Sequence, residues 1–274
     1  MRFVGLSPDK LRQLMARRPE KEYILIDVRQ PGEYENSHIP GSLLLPLPEL
    51  VRSMAALPVD KELVFYCRNG GRSQAAAIMV ADEEITRKTV YHLDGGVMAW
   101  EGGTTTGFPR VQIFEDSDSP GQTLRTAINL EKGALIFYSR VHAMYPDKPW
   151  RTVFAELARA ERGHARIVYN FLCGIENVRE EFETLFDRLT GEIMEGGEAV
   201  DTALQKVTSM KGRICMHLIE LALQIESRAY DLYRTMTHRS DENNAREAFW
   251  AIAQAEKGHM RSLAEAIGGC TADM

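Results

Sequence analysis

The sequence predicts two domains, an N-terminal α/β domain with a parallel sheet and flanking helices and a C-terminal all-α four-helix bundle. Short β-rich apolar runs alternate with helical stretches up to about residue 110, which is typical of a parallel α/β sheet. A segment rich in Gly, Thr, Ser, Asp and Pro follows, and the remainder has the period of long amphipathic helices. We place the first domain at 1–105, a linker at 106–121 and the bundle at 122–270.

The α/β half has recognisable element boundaries. Ser7 and Pro8 stand in the order of an N-cap and a first helical residue, and Leu11, Leu14 and Met15 give the following helix one apolar face. Helical stretches such as this one separate the apolar runs and supply the crossovers that parallel strands need. The runs predicted as strands are Tyr23–Val28, Leu43–Leu45, Leu63–Tyr66 and Val90–Leu93.

The helical half contains four long amphipathic stretches with two shorter ones between the second and third. Proline and glycine residues interrupt the pattern at the predicted ends. Two long helices, a crossover and two more long helices are typical of a four-helix bundle with one long connection. The long stretches are 122–145, 149–172, 213–238 and 241–267, and the short ones are 178–190 and 198–210.

Composition narrows the classes of partner. The 274 residues carry a formal charge of −6 and no run of Lys or Arg, which argues against nucleic acid or an anionic membrane as a partner. No apolar run approaches the roughly 20 residues of a membrane helix, and the N-terminus lacks a signal-peptide core, so we expect a cytoplasmic protein. The four cysteines form no C-x-x-C pair, which excludes the usual zinc knuckle or rubredoxin site and favours a reducing compartment with at least one free thiol.

The segment Leu63–Ser73 carries a candidate nucleophile, Cys67. The cysteine follows a predicted buried strand and precedes a glycine-rich turn and a helix start, where converging backbone N–H groups stabilise a thiolate. Arg68 and Arg72 are candidate catalytic residues that add positive charge. The predicted sulfur-binding loop consists of Asn69, Gly70, Gly71 and Ser73. The alternative is a buried structural cysteine beside an ordinary turn.

Over about residues 3–103 the sequence resembles the rhodanese family. The resemblance implies a persulfide on Cys67, whose outer sulfur is held by loop amides and passed to cyanide, a thiol or a protein. Related phosphatases have one more residue in this loop, whereas four residues lie between Cys67 and Arg72, so the pocket suits a single sulfur atom. We interpret Asp27 and Arg29 as structural and expect Arg29 to bind Glu33. The matching segments are Ile26–Arg29, Glu33-Tyr34, His38–Ser42, Cys67–Ser73, Leu93–Gly96 and Trp100.

The helical half contains an internal repeat of carboxylates and histidines. Each copy has a helix with one glutamate and, 30 residues later, a helix with Glu-x-x-His, whose two side chains share one helix face. A single Glu-x-x-His is usually a solvated face, but two matched copies indicate a metal site of four carboxylates and two imidazoles. The predicted ligands are Glu131, Glu161, His164, Glu226, Glu256 and His259.

Around these motifs, over 122–268, the chain resembles the ferritin-like superfamily and its rubrerythrin-related branch. The resemblance implies two metal ions per chain, with iron favoured and manganese or zinc as alternatives, and reactions with peroxide or dioxygen. Tyr138 and Tyr233, seven residues after the helix glutamates, are expected to pack in the core or to support the ligands. The remaining bundle histidines, His142, His217 and His238, are expected to be ordinary surface or bundle residues.

Two departures from rubrerythrins limit this interpretation. A second glutamate is expected three residues after Glu226, but that position is Ala229, and the four-cysteine module is missing. Electrons must then come from an external donor protein. We predict a sulfurtransferase with small-molecule sulfur donors and acceptors, coupled to a di-iron centre in oxidative or sulfur stress defence. The alternative is an iron-binding or iron-sensing bundle whose rhodanese domain delivers sulfur to a protein partner. A homodimer is expected in either case.

Overall fold

The computed structural model describes residues 3–273, and the chain forms two compact units that divide between Phe108 and Pro109. The first unit contains a five-stranded parallel sheet in the order β1-β5-β4-β2-β3. The predicted parallel α/β class is confirmed. The strands are β1 Phe3–Leu6, β2 Tyr23–Asp27, β3 Leu43–Leu44, β4 Glu62–Tyr66 and β5 Val90–Leu93. Strand β1 was not predicted, because this edge strand has only four residues and only Leu6 among them is buried.

The helices of the first unit cover both faces of the sheet. Strand β4 is central and almost wholly buried, with Leu63 and Phe65 in the core on one face and Val64 and Tyr66 in the core on the other. Side chains that alternate between two covered faces explain why this run is continuously apolar. Cys67 follows directly at its carboxyl end. The helices are α1 Pro8–Arg17, α2 Pro31–Asn36, α3 Leu47–Ser53, α4 Gly71–Asp82 and α5 Gly96–Ala99.

The second unit is the predicted helical bundle. Helix α6 begins with the same Ser-Pro order that the sequence shows at Ser7-Pro8. Ser119 Oγ accepts a hydrogen bond from Gln122 N at 3.2 Å, and Pro120 is the first helical residue. The long helices are α6 Pro120–Met144, α7 Thr152–Ile175, α10 Ile214–Arg239 and α11 Asn243–Ala266. The crossover from α7 to α10 contains α8 Phe182–Arg188 and α9 Val200–Ser209. Among residues 3–273, no helix is long and apolar enough to span a membrane.

The segment predicted as a linker is largely part of the bundle. Its apolar patch forms a 3-10 helix at Val111–Phe114, and Phe114 is buried edge-to-face against Phe249 with ring centroids 5.9 Å apart. Arg110 donates a hydrogen bond to Gly197 O at 2.7 Å. Three apolar residues of this polar segment, Val111, Ile113 and Phe114, pack against the core of the bundle.

Two of the four cysteines are paired, which differs from the expectation of reducing surroundings. Cys215 at the start of α10 forms a disulfide with Cys270 in the 3-10 segment Ile267–Asp273. Cys67 and Cys173 are free, the first buried and the second exposed. The pair is 55 residues apart in sequence, so local spacing carried no sign of it.

Candidate functional site

The loop after β4 surrounds the sulfur atom of Cys67 with hydrogen-bond donors. Gly70 has φ of 99°, a left-handed conformation that glycine adopts readily, and it caps the start of α4. Its N–H donates to Cys67 Sγ at 3.2 Å, and the hydroxyl of Ser73 lies 3.6 Å from the same sulfur. The N-terminus of a 12-residue helix therefore begins beside the sulfur, where its dipole favours negative charge.

The surroundings of Cys67 favour the thiolate. Burial raises the pKa of the thiol, but the Ser73 hydroxyl and the backbone N–H groups of Ser73, Asn69 and Gly70 outweigh burial, so the pKa is lowered. Arg68 is exposed. The largest effects that lower the pKa of Cys67 thus come from the Ser73 hydroxyl and the loop amides. The sequence also predicted that Arg68 and Arg72 would stabilise the thiolate.

Arg72 instead holds the loop to α2. Its two terminal nitrogens donate to the two carboxylate oxygens of Glu33, each at 2.8 Å. Hydrogen bonding to Arg72 lowers the pKa of Glu33 to about 2. The predicted contact of Arg29 with Glu33 is therefore wrong. Arg29 binds the buried Asp27, with Nη2 2.6 Å from Oδ2, because an unpaired carboxylate in the core would be costly. Arg29 Nη2 also donates to Ser37 O at 2.7 Å.

The N-terminus of helix α5 contacts the backbone of the Cys67 loop. Gly95 and Gly96 have φ of 72° and 60°, and the following N–H of Val97 donates to Cys67 O at 2.8 Å. A Cβ on Gly96 would lie 2.6 Å from the carbonyl carbon of Arg68, so only glycine permits this approach. The Gly-Gly pair of the motif Leu93–Gly96 thus fixes the backbone on which the nucleophile stands.

The six predicted metal ligands meet inside the bundle. Glu131 comes from α6, Glu226 from α10, and the two Glu-x-x-His pairs come from α7 and α11. All six are buried. Four helices around one core, each contributing an inward face, bring together residues that are up to 128 positions apart, from Glu131 to His259.

The distances divide the ligands into two equivalent halves. His164 Nδ1 lies 3.3 Å from Glu131 and 3.1 Å from Glu161 Oε2, and His259 Nδ1 lies 3.0 Å from Glu226 and 3.2 Å from Glu161 Oε1. Glu161 therefore presents one oxygen to each histidine. Glu256 does the same, with Oε1 3.4 Å from His164 Nδ1 and Oε2 3.3 Å from His259 Nδ1. Glu161 and Glu256 are thus arranged as bridges, and Glu131 and Glu226 as terminal groups.

This donor set fits two cations. Each histidine Nδ1 faces three carboxylate oxygens, although one ring nitrogen carries at most one proton for them. Buried oxygens of Glu131, Glu161 and Glu256 have no hydrogen-bond partner. Buried polar atoms are normally satisfied, and cations placed among these oxygens and nitrogens would satisfy them. Oxygen-rich ligation with one imidazole per ion is appropriate for iron or manganese.

The electrostatics of the centre show the same need for positive charge. Burial raises the pKa of Glu131 to about 8 and raises that of Glu226 well above its ordinary value. Burial lowers the pKa of His164 and His259, but hydrogen bonds to the surrounding carboxylates outweigh it, so both pKa values are raised. Cations bound by these carboxylates would satisfy the same negative charge that raises the pKa of the imidazoles.

Two tyrosines connect the halves of the repeat. Tyr138, seven residues after Glu131 on α6, donates to Glu226, and Tyr233, seven residues after Glu226 on α10, donates to Glu131. Both rings are fully buried. Each terminal carboxylate is therefore oriented by a hydroxyl from the opposite repeat, which decides between the two roles that the sequence allowed for them.

One buried carboxylate near the centre was missed by sequence reasoning. Glu195, in the crossover turn Glu195–Gly197, offers an oxygen within 4.8 Å of ligand oxygens of Glu131 and Glu161. Burial and the neighbouring carboxylates raise its pKa well above its ordinary value. It lies outside the repeat, so its spacing gave no signal.

His142 binds the Arg151 carbonyl at 3.0 Å, outside the cluster, as expected.

Comparisons with known proteins agree with this architecture. The chain matches the family model described as Rubrerythrin over residues 122–267, more than half of its length, and the Rhodanese-like domain model over residues 7–102. The chain therefore belongs to the rubrerythrin family and carries a rhodanese-like domain before the rubrerythrin bundle.

Two sulfurtransferases are among its curated relatives. A sulfurtransferase of Allochromatium vinosum is 35% identical, covering 29% of this chain and 73% of the relative. The thiosulfate sulfurtransferase GlpE of Pseudoalteromonas translucida is 32% identical, covering 30% and 76%. The chain spans less than two thirds of some other relatives, 38% and 60% in two cases. A rhodanese-related protein structure from Thermoplasma volcanium is 24% identical with a TM-score of 0.33, covering 38% of this chain and 98% of that one.

Proposed function

We propose that Cys67 carries sulfur as a persulfide and that the bundle holds two iron ions that react with peroxide or dioxygen, in defence against oxidative or sulfur stress. The sulfur-transfer part is supported by the hydrogen bonds that Gly70 N–H and the Ser73 hydroxyl direct at Cys67 Sγ. The metal part is supported by one observation above all, the division of the two oxygens of Glu161 and of Glu256 between the two histidines.

The sulfur-transfer steps use the thiolate as nucleophile. Cys67 attacks the outer sulfur of a donor such as thiosulfate, a new S–S bond forms, and sulfite leaves with the electron pair of the broken bond. An acceptor, cyanide or a thiolate, then attacks the outer sulfur and releases Cys67 as thiolate. The loop amides that face Sγ in the resting state stabilise its negative charge before and after transfer. Arg72, held by Glu33, keeps the loop closed around a space suited to one sulfur atom.

In the bundle, the two ions would be held by Glu131, Glu161, His164, Glu226, Glu256 and His259. A bound iron pair supplies redox chemistry toward peroxide or dioxygen. Tyr138 and Tyr233 orient the terminal carboxylates, and the apolar bundle interior excludes bulk water from the ligands. Electrons would come from an external donor protein, because the chain has no four-cysteine iron site in its sequence.

The sulfur-transfer proposal is tested with a thiosulfate:cyanide assay. Cys67→Ser should abolish turnover while the metal content of the protein stays unchanged, because the nucleophile and the ligands lie in separate units. Cys173→Ser is the matched control, since Cys173 is free and exposed, and it should retain full activity. Retained turnover in Cys67→Ser would exclude this cysteine as the sulfur carrier.

The metal proposal is tested by metal analysis of anaerobically purified protein and by peroxide consumption. Wild type should hold two ions per chain and consume peroxide when a reductant is supplied. Glu161→Gln should lose both properties, whereas His142→Ala should keep them, because His142 faces a backbone carbonyl. Two bound irons without peroxide turnover would instead favour an iron-sensing bundle with sulfur delivery to a protein.

A further inference from the structure

Glu195 is placed at the metal centre by a connection rather than by a helix of the bundle. It lies in the crossover between α8 and α9, and its side chain is only 3% exposed. One of its oxygens, Oε1, is buried without a hydrogen-bond partner. The same side chain offers an oxygen within 4.8 Å of ligand oxygens of Glu131 and Glu161. A carboxylate in this situation is costly unless a cation pairs with it.

The crossover loop that carries Glu195 is held firmly. Ile193 and Ala199 form an antiparallel bridge, and Met194 N donates to Glu198 O at 2.9 Å across the turn. Gly197 N donates to Met194 O at 3.0 Å and closes the turn around Glu195. The position of the carboxylate is therefore a product of ordered backbone contacts.

Close packing against α6 brings this loop to the ligands. A Cβ on Gly133, two residues after Glu131, would collide with the carbonyl of Ile193, so the helix accepts the loop only where it has no side chain. Gly191 N also donates to Asn129 Oδ1 of α6 at 2.9 Å. Both contacts lie within one helical turn of Glu131, so they hold the loop beside this ligand along the axis of α6.

Nearby basic residues serve another carboxylate of the loop. Lys206 Nζ lies 2.5 Å from Glu198 Oε1, and Arg228 Nη1 lies 3.7 Å from Glu198 Oε2. Glu198 is thus neutralised at the surface of the loop, whereas the side chain of Glu195 turns inward to the carboxylates of the centre. A bound metal ion would supply Glu195 with the positive charge that Lys206 and Arg228 supply to Glu198.

We propose that Glu195 is a seventh protein ligand of the dinuclear centre and binds the ion that Glu131 and His164 hold. This inference rests on the proposed metal site. Ala229, three residues after Glu226 on α10, offers no ligand atom, whereas Glu195 offers an additional oxygen from the crossover loop. Five carboxylates also exceed the four positive charges of two divalent ions, and the ligand set therefore favours a trivalent ion at one position.

The test compares two variants of the same loop that lose the same charge. Glu195→Gln preserves shape, and Glu192→Gln is the control because Glu192 is exposed. Metal-free full-length proteins are titrated anaerobically with Fe(II) by calorimetry and with Co(II) by visible absorption, which responds to coordination number. Glu195→Gln should bind one of the two ions at least about tenfold more weakly and change the Co(II) bands. Glu192→Gln should match wild type.

Melting temperatures measured with and without metal show whether Glu195 is a ligand or only a structural residue. Without metal, Glu195→Gln should melt at the same temperature as wild type or higher, since a repelling buried carboxylate is gone, but added metal should stabilise it less. Glu195→Asp, which keeps the charge on a shorter stem, covers a failure of the glutamine variant to fold and should show the same weakening. If Glu195→Gln and Glu195→Asp both bind metal with wild-type affinity and show wild-type Co(II) bands, the assignment of Glu195 as a ligand is overturned. Fewer than two ions in wild type would overturn the dinuclear site itself.

Discussion

The disulfide between Cys215 and Cys270 should contribute a large share of the stability of the bundle. It ties the start of α10 to the segment that follows α11, across a sequence separation of 55 residues. In the chain-entropy treatment, closing a loop of this length lowers the entropy of the unfolded chain by an amount worth about 4 kcal/mol at 25 °C. In a domain of this size, each kcal/mol shifts the melting temperature by about 2–4 °C, so reduction should lower it by roughly 8–16 °C.

Calorimetry of the full chain with and without dithiothreitol measures this effect. The transition of the bundle should fall on reduction, and that of the rhodanese-like unit should hold, because both cysteines belong to the bundle. A double Cys215→Ala/Cys270→Ala variant should melt like the reduced protein and be insensitive to dithiothreitol. Cys173→Ala is the control, since that free cysteine is exposed. Equal melting temperatures for the oxidised and reduced bundle would refute the reasoning.

Three further substitutions test contacts described above. Ser73→Ala removes a hydroxyl that lowers the pKa of Cys67, so the pKa should rise and the pH profile of thiosulfate turnover should move to higher pH; an unmoved profile would mean that the amides suffice. Glu33→Gln removes the ion pair with the loop arginine and should reduce turnover. Because that pair lowers the pKa of Glu33 from 4.5 to about 2, the stability it contributes to the wild type should be present above pH 4.5 and be lost as the pH falls toward 2, which an NMR titration of the Glu33 carboxyl carbon would follow. Gly133→Ala should destabilise the bundle by about 1–3 kcal/mol despite a helix-propensity gain of about 1 kcal/mol, whereas Gly163→Ala, with open space around it, should stabilise it in the same urea titration.

Local chemistry explains what could be predicted from the sequence. Cys67 and its loop are contiguous, so strand, turn and helix start could be recognised together. Glu161 and His164 share a helix face through a spacing of three residues, and the equal spacing of the second copy indicated a joint site. Both families are confirmed by the comparisons.

Features created by tertiary packing could not be predicted in this way. Glu195 reaches the centre only because Gly133 admits a loop backbone, and neither residue belongs to a repeating pattern. Glu33 binds Arg72 and not Arg29 because folding places the guanidinium of Arg72 beside Glu33 and that of Arg29 beside Asp27. Phe114 looked like part of a linker because burial depends on a distant partner, Phe249.

The exchange of tyrosines between the two repeats has an evolutionary consequence. The hydroxyl that orients Glu131 belongs to the second repeat, and the hydroxyl that orients Glu226 belongs to the first. One repeat alone therefore lacks both the bridging glutamate and the hydroxyl that its partner supplies. A chain with a single copy could complete such a centre only by pairing with an identical chain in a symmetric dimer, so duplication within one chain supplies what that dimer would supply. The connection between the copies, where Glu195 lies, has no counterpart in a single copy.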